Sequence, residues 1–239
     1  MAESEQLLLV SLPELYHLVA LYDKVPEAAL CTLESLVNSL TIASGADIGE
    51  SDVIIMVCVS NKKTFDLQYS DFLASIADII KKQDRKISLN IREATMDSLL
   101  VGTPLGHFYD ITPADKLGRY EKQNKANALR LALLYKYGGF YMDLDMVVFK
   151  EPRFHLPGPG LGLENKDHAN NAALLFPSAK SSFLEHSMES FVENYDGDSW
   201  VSKELCRNLI QATLIIRTTR STPQRAMAHC IDILWQHTN

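Results

Sequence analysis

The sequence has no basic excess, no paired cysteines and no long unbroken apolar run. A formal net charge of −7, with no basic stripe, gives no reason to expect a nucleic-acid partner. Cys31, Cys58, Cys206 and Cys230 are scattered without a CxxC pair, which argues against structural zinc and leaves any disulfide pairing open. Residues 7–22, LLLVSLPELYHLVALY, are broken by Pro13, Glu14 and His17 and fall short of the roughly 18–20 apolar residues a membrane span needs. The opening MAESEQ is acidic, where a signal peptide opens basic. As it stands the chain reads as soluble, or as a piece whose anchor lies elsewhere. There is no internal repeat and no low-complexity tract.

What is present is ordinary globular material. The 239 residues, 46% hydrophobic and 22% charged, suffice for one sizeable domain with a full core. Helical periodicity at 29–40 puts Leu33, Leu36, Val37 and Leu40 on one face. DVIIMVCV (52–59) predicts a buried strand. DFLASIADIIKK (71–82) predicts an amphipathic helix, with Asp71 near its start and lysines in its last turn. ISLNIRE (87–93) alternates as a half-buried strand, and TPLGHFYD and TPADKLG read as a loop leading to a helix over about 122–137. LPGPGLGLENKDH (156–168) reads as a connection, NNAALLF (170–176) as a strand and SSFLEHSMESFVENY as a helix. Strands alternating with helices imply an α/β fold: a mixed, mainly parallel sheet with helices on both faces.

One stretch carries chemistry. In KANALRLALLYKYGGFYMDLDMVV, Asn127 and Arg130 stand three apart on one helix face, and Arg130 sits among alanines and leucines, where a buried guanidinium needs an anion. Gly138 falls where a helix end favours positive φ, and Gly139 permits a tight turn and the close approach of a ligand. If the strand continues through FYMDLDMVVF, Asp143 and Asp145 point to the same side, with Leu144 toward the core. Two converging carboxylates suit Mn²⁺ or Mg²⁺ holding a diphosphate, whose departure the cation assists. A bare DxD is also the common end of a strand in two solvated acids. The arginine helix and double glycine set this one apart.

ALRLALLYKYGGFYMDLDMVVFK resembles the sugar-nucleotide-binding region of the α-1,4-galactosyltransferase and α-1,4-N-acetylgalactosaminyltransferase family. The likeness extends to ALCTLESLVNSL (29–40), GTPLGHFYD (102–110) and NNAALLFPSAKSSFLEHSMESFVENYDGDSW (170–200). It implies a GT-A-type (Rossmann-like) domain over 29–200, flanked by divergent segments 1–28 and 201–239. It further implies a retaining, Mn²⁺-dependent hexosyltransferase of the Golgi membrane, acting in glycosphingolipid biosynthesis. That enzyme would move galactose or N-acetylgalactosamine from UDP-galactose or UDP-N-acetylgalactosamine to a glycolipid or glycoprotein acceptor. Position by position, Asp143 and Asp145 would bind metal and diphosphate, and Arg130 and Asn127 the donor. Asn170 would hold sugar hydroxyls, and Gly138 and Gly139 would shape the pocket floor. No catalytic nucleophile is implied.

The chain departs from the family at three places. Asn127 stands where the family carries an aspartate, an amide in place of a charge-assisted acceptor. No strand ending in an acid is recognisable before residue 29. After Trp200, which could stack on an acceptor sugar, the family's GHQGP segment is missing, and His229 and His237 read as surface residues. These departures point to a truncated or spliced product, and leave room for an impaired glycosyltransferase-like protein serving as a partner subunit. DLDMVV also resembles the nucleophile loop of haloacid-dehalogenase-type phosphatases, with Asp143 as nucleophile and DGDS (196–199) as a distal acidic motif.

Overall fold

A computed structural model describes residues 13–22, 24–42, 52–150, 152, 159–165 and 168–199, and the elements below lie within them. Trp200, segment 201–239 with its cysteines and histidines, and the side chain of Asn170 fall outside.

The chain runs β1 (Glu14–Ala20), α1 (Glu27–Ile42), β2 (Val53–Val59), α2 (Lys62–Gln68), α3 (Ser70–Lys81) and β3 (Ile87–Glu93). It continues through α4 (Met96–Leu100), α5 (Pro104–Ile111), a 3₁₀ turn at Ala114–Lys116, α6 (Glu121–Tyr137) and β4 (Gly139–Met142), then β5 (Gly160–Asn165), β6 (His168–Phe176) and α7 (Ser182–Glu193). The sheet order is β3-β2-β1-β4-β6-β5. β1 pairs in parallel with both β2 and β4, and β2 with β3, while β6 runs antiparallel to β4 and to β5. This is the mixed, mainly parallel sheet with helices on both faces that the alternation of elements implied.

Period-two alternation sorts the strands between two cores. Tyr16, Leu18, Ile55, Val57, Phe140 and Met142 pack with Leu33 and Leu36 of α1, Phe65 of α2 and Ile76 of α3. Tyr141, Leu174 and Phe176 face the other way, onto Leu131 and Leu134 of α6 and Leu184 and Met188 of α7. Among the described residues no helix is long and apolar enough to cross a membrane.

Several expectations need correction. Residues 14–20, ahead of the position 29 at which the domain was expected to begin, form a central strand: Glu14 and His17, which break the apolar run, are both buried there. Glu14 is compensated by Arg85 at 2.9 Å. TPLGHFYD is a helix, because Thr103 accepts from the Gly106 N–H and Pro104 occupies the first turn. Gly160–Asn165, within the predicted connection, is an edge strand. The strand before the acids stops at Met142.

Candidate functional site

From β1 the chain winds outward to β2 and β3, then returns over the opposite face to place β4 on the other side of β1. Such a switch point opens a crevice outside the carboxyl ends of the two strands. Asp143 lies immediately past the carboxyl end of β4, its N–H donating to Ala172 O at 2.8 Å.

Strand alternation therefore does not set the two acids side by side. Asp143 is partly buried and turns toward α6, whereas Asp145 sits exposed in the turn that follows. That turn is held by α1: Thr32 Oγ1 donates to Leu144 O at 2.7 Å, and the Val148 N–H donates to Ser35 Oγ at 3.1 Å. Leu144 packs, partly buried, against the core as expected.

Arg130 finds its anion in Asp143. Nε donates to Oδ1 at 3.1 Å and Nη2 to Oδ2 at 2.8 Å, a bidentate pair whose side chains are 14% and 22% exposed. Nη1 donates to Asn127 Oδ1 at 2.6 Å and to Asn171 Oδ1 at 2.8 Å. Asn171 Nδ2 also donates to Asn127 Oδ1 at 3.0 Å, and the buried Asn127 Nδ2 has no partner among the described residues. Tyr141 OH donates to Asp143 Oδ1 at 2.9 Å, and burial pushes that phenol far up, so it stays a donor. Burial also raises the Asp143 carboxyl, while Arg130 and Tyr141 act to hold its charged form. Arg130 remains a cation: the neighbouring Tyr141 and Asp143 outweigh the opposing effect of its burial.

Asn127, Arg130 and Asp143 are thus brought together, as the sequence suggested, and Tyr141 and Asn171 join them unforeseen. Asn171 was hidden by a bulge. Leu161 of β5 pairs with Leu174 and the next residue, Gly162, with Asn170, so residues 171–173 of β6 have no partner on β5, although Ala173 still pairs with Met142 of β4. Ala172 and Ala173 consequently both pack in the α1-side core. A strictly alternating NNAALLF would send Asn171 there too, away from Arg130; the bulge re-aims it. The structure places the backbone of Asn170 in β6 and does not describe its side chain.

Gly138 and Gly139 do not join the cluster. They lie at the amino end of β4, five and four residues before Asp143, with Gly139 roughly 13 Å from it. Both have positive φ, +65° and +98°. A Cβ on Gly138 would come within 2.9 Å of the Ser178–Ala179 backbone, and one on Gly139 within 2.3 Å of Leu15 O. The close approach these glycines permit is that of the protein's own backbone, and a role as pocket floor is not what this geometry offers.

The donor set suits a hard divalent cation in part. Asp145 is exposed and has no hydrogen bond or ion pair among the described residues. Asp143 has three of about four carboxylate lone-pair positions taken, by Arg130 twice and Tyr141 once. Among the described residues there is no group of three or more His, Cys, Asp or Glu that could hold a metal ion. The pair fits a metal that keeps waters and takes phosphate oxygens, as Mg²⁺-type sites commonly do. The same occupancy argues against Asp143 as a phosphoryl-accepting nucleophile, since both of its oxygens are held. The DGDS segment is likewise used locally, Arg119 donating to Asp198 O and Asn124 Nδ2 to Ser199 O.

Residues 57–165 match the family described as "Glycosyltransferase sugar-binding region containing DXD motif". The chain is 34% identical over 110 residues to mouse lactosylceramide 4-alpha-galactosyltransferase, covering 46% of this chain and 30% of that protein. It is 32% identical over 108 residues to human alpha-1,4-N-acetylglucosaminyltransferase, covering 44% and 29%. The matched region thus spans about three tenths of each relative's length. The solved structure of PaToxG glycosyltransferase is similar over 86% of this chain and 72% of its own, at a TM-score of 0.49 and 14% identity. Residues 57–165, which carry the Arg130–Asp143 cluster and Asp145, thus match the DXD-containing sugar-binding region of glycosyltransferases, and there the chain is similar to lactosylceramide 4-alpha-galactosyltransferase.

Proposed function

We propose that the chain is a retaining, metal-assisted hexosyltransferase. It would move galactose or N-acetylgalactosamine from a UDP-sugar to the terminal sugar of a glycolipid or glycoprotein acceptor. The observation that carries this reading is an exposed carboxylate, Asp145, two residues past a partly buried Arg130–Asp143 pair at the carboxyl end of β4, next to the switch point between β1 and β4. Asp145 and Asp143 would hold Mn²⁺ or Mg²⁺. A bound cation of that kind neutralises charge on a departing diphosphate.

The chain's own residues supply positioning. Thr32 and Ser35 fix the turn that presents Asp145. Arg130 brings a cation into a partly buried site, where it can oppose the diphosphate or bind donor hydroxyls. Asn127 and Asn171 orient that guanidinium. Holding donor and acceptor in register accounts for a large part of the rate in a transfer without a protein nucleophile. The family resemblance adds a Golgi setting.

The test is transfer itself. Purified protein with Mn²⁺ and UDP-galactose or UDP-N-acetylgalactosamine is offered a lactosyl acceptor, and the product anomer is read by NMR. An α-linked product, lost in Asp145→Asn, supports the proposal. Donor binding without transfer to any acceptor would favour the partner-subunit reading.

A further inference from the structure

Asp143 is spoken for before any cation arrives. Four of Arg130's five N–H donors are engaged, and the single anion among their acceptors is Asp143; the other two acceptors are the neutral amides of Asn127 and Asn171. The guanidinium and the carboxylate neutralise each other in a bidentate, largely buried pair. A divalent cation that recruits Asp143 therefore competes with a positive charge already bound to both oxygens.

Position 127 decides how strong that competition is. Asn127 Oδ1 lies 2.6 Å from Arg130 Nη1, so an acid of the same shape would put a second negative charge in contact with the guanidinium. It would also remove the buried, partnerless Nδ2 donor. With an amide there, Arg130 has no second anion among the described residues.

We propose that Asn127, by leaving Asp143 as the only anionic partner of Arg130 among the described residues, withholds Asp143 from divalent cations until an anionic ligand such as a nucleoside diphosphate draws Arg130 off. Cation and diphosphate then bind with strong mutual cooperativity, and the cation alone binds weakly. This inference rests on the transferase reading for the identity of the site.

The experiment counts bound Mn²⁺ by electron paramagnetic resonance, with and without UDP. It uses wild type, Asn127→Asp, Arg130→Gln, the double variant and Asp145→Asn, each checked for folding by circular dichroism. Asn127→Asp should tighten Mn²⁺ binding without UDP on the order of tenfold, as one added partly buried counter-charge would. It should also shrink the further gain that UDP brings. Arg130→Gln alone should tighten Mn²⁺ as well, and Asn127→Asp should add less than twofold on that background, because its effect passes through Arg130. Asn127→Asp within twofold of wild type, or an equal gain with and without Arg130, overturns the inference while leaving the transferase reading intact. Mn²⁺ binding to no variant, even with UDP, or binding indifferent to Asp145→Asn, overturns both.

Discussion

Replacing Arg130 by methionine keeps the length and apolar stem of the side chain and deletes four hydrogen bonds: two to Asp143, one to Asn127 and one to Asn171. Asn127 Oδ1 retains the Asn171 amide, and Asp143 Oδ1 retains Tyr141. Asp143 Oδ2 and Asn171 Oδ1 keep no partner among these bonds. The dominant cost is the uncompensated carboxylate. Breaking a buried ion pair from one side costs about 3–5 kcal/mol, and the 22% exposure of Asp143 argues for the low end, about 3 kcal/mol. For a chain of this size that is a fall in Tm of about 6–12 °C. Urea denaturation at neutral pH, followed by circular dichroism, measures it. Adding Asp143→Asn should restore all but about 1 kcal/mol, since the orphaned charge then vanishes. A single variant that loses less than about 1 kcal/mol, or a double variant no better than the single, would refute the reasoning that this pair is held as buried charge.

His17 gives a pH dependence. Burial lowers its pKa from 6.5 to about 4, with Nε2 bonded to Gly138 O at 2.8 Å and Nδ1 buried without a partner. The neutral form is favoured in the fold, so its contribution is whole above pH 6.5 and is lost as pH falls toward 4, by up to about 3 kcal/mol. Denaturation midpoints across that window, flattened in His17→Asn, check it. Gly139→Ala, at φ +98° and 2.3 Å from Leu15 O, should cost more than about 3 kcal/mol or prevent folding, read as lost soluble yield. Thr32→Val removes the bond to Leu144 O, should cost about 1 kcal/mol, and should weaken Mn²⁺–UDP binding several-fold by loosening the Asp145 turn, measured by calorimetry.

Elements with one dominant signal were legible in the sequence. The helix expected at 122–137 runs from 121 to 137, and the strands at 52–59 and 87–93 lie within a residue of their place. Where two signals competed, the weaker physical cause was hidden. β1 carries a buried acid and a buried histidine, which read as interruptions until Arg85 is seen to pair with the acid and the Gly138 carbonyl to bond His17 Nε2. Thr103-Pro104 carries turn chemistry and helix-start chemistry alike, and only the α5 packing decides between them. In the site, Arg130's need for an anion followed from its apolar neighbours, because spacing along a helix fixes which side chains meet. Asn171 depended on a bulge set by pairing with β5, and the divergence of Asp143 from Asp145 on where β4 stops. Both are tertiary facts without a local pattern.

The central claim is that the carboxyl-edge acids form a cation-dependent nucleoside-diphosphate site. Calorimetric titration of UDP into the protein, with and without Mn²⁺, tests it most directly. The account predicts UDP binding that requires Mn²⁺ and disappears in Asp145→Asn, the exposed acid with no other partner among the described residues. UDP binding of equal strength without the metal, or unchanged in Asp145→Asn, would contradict it.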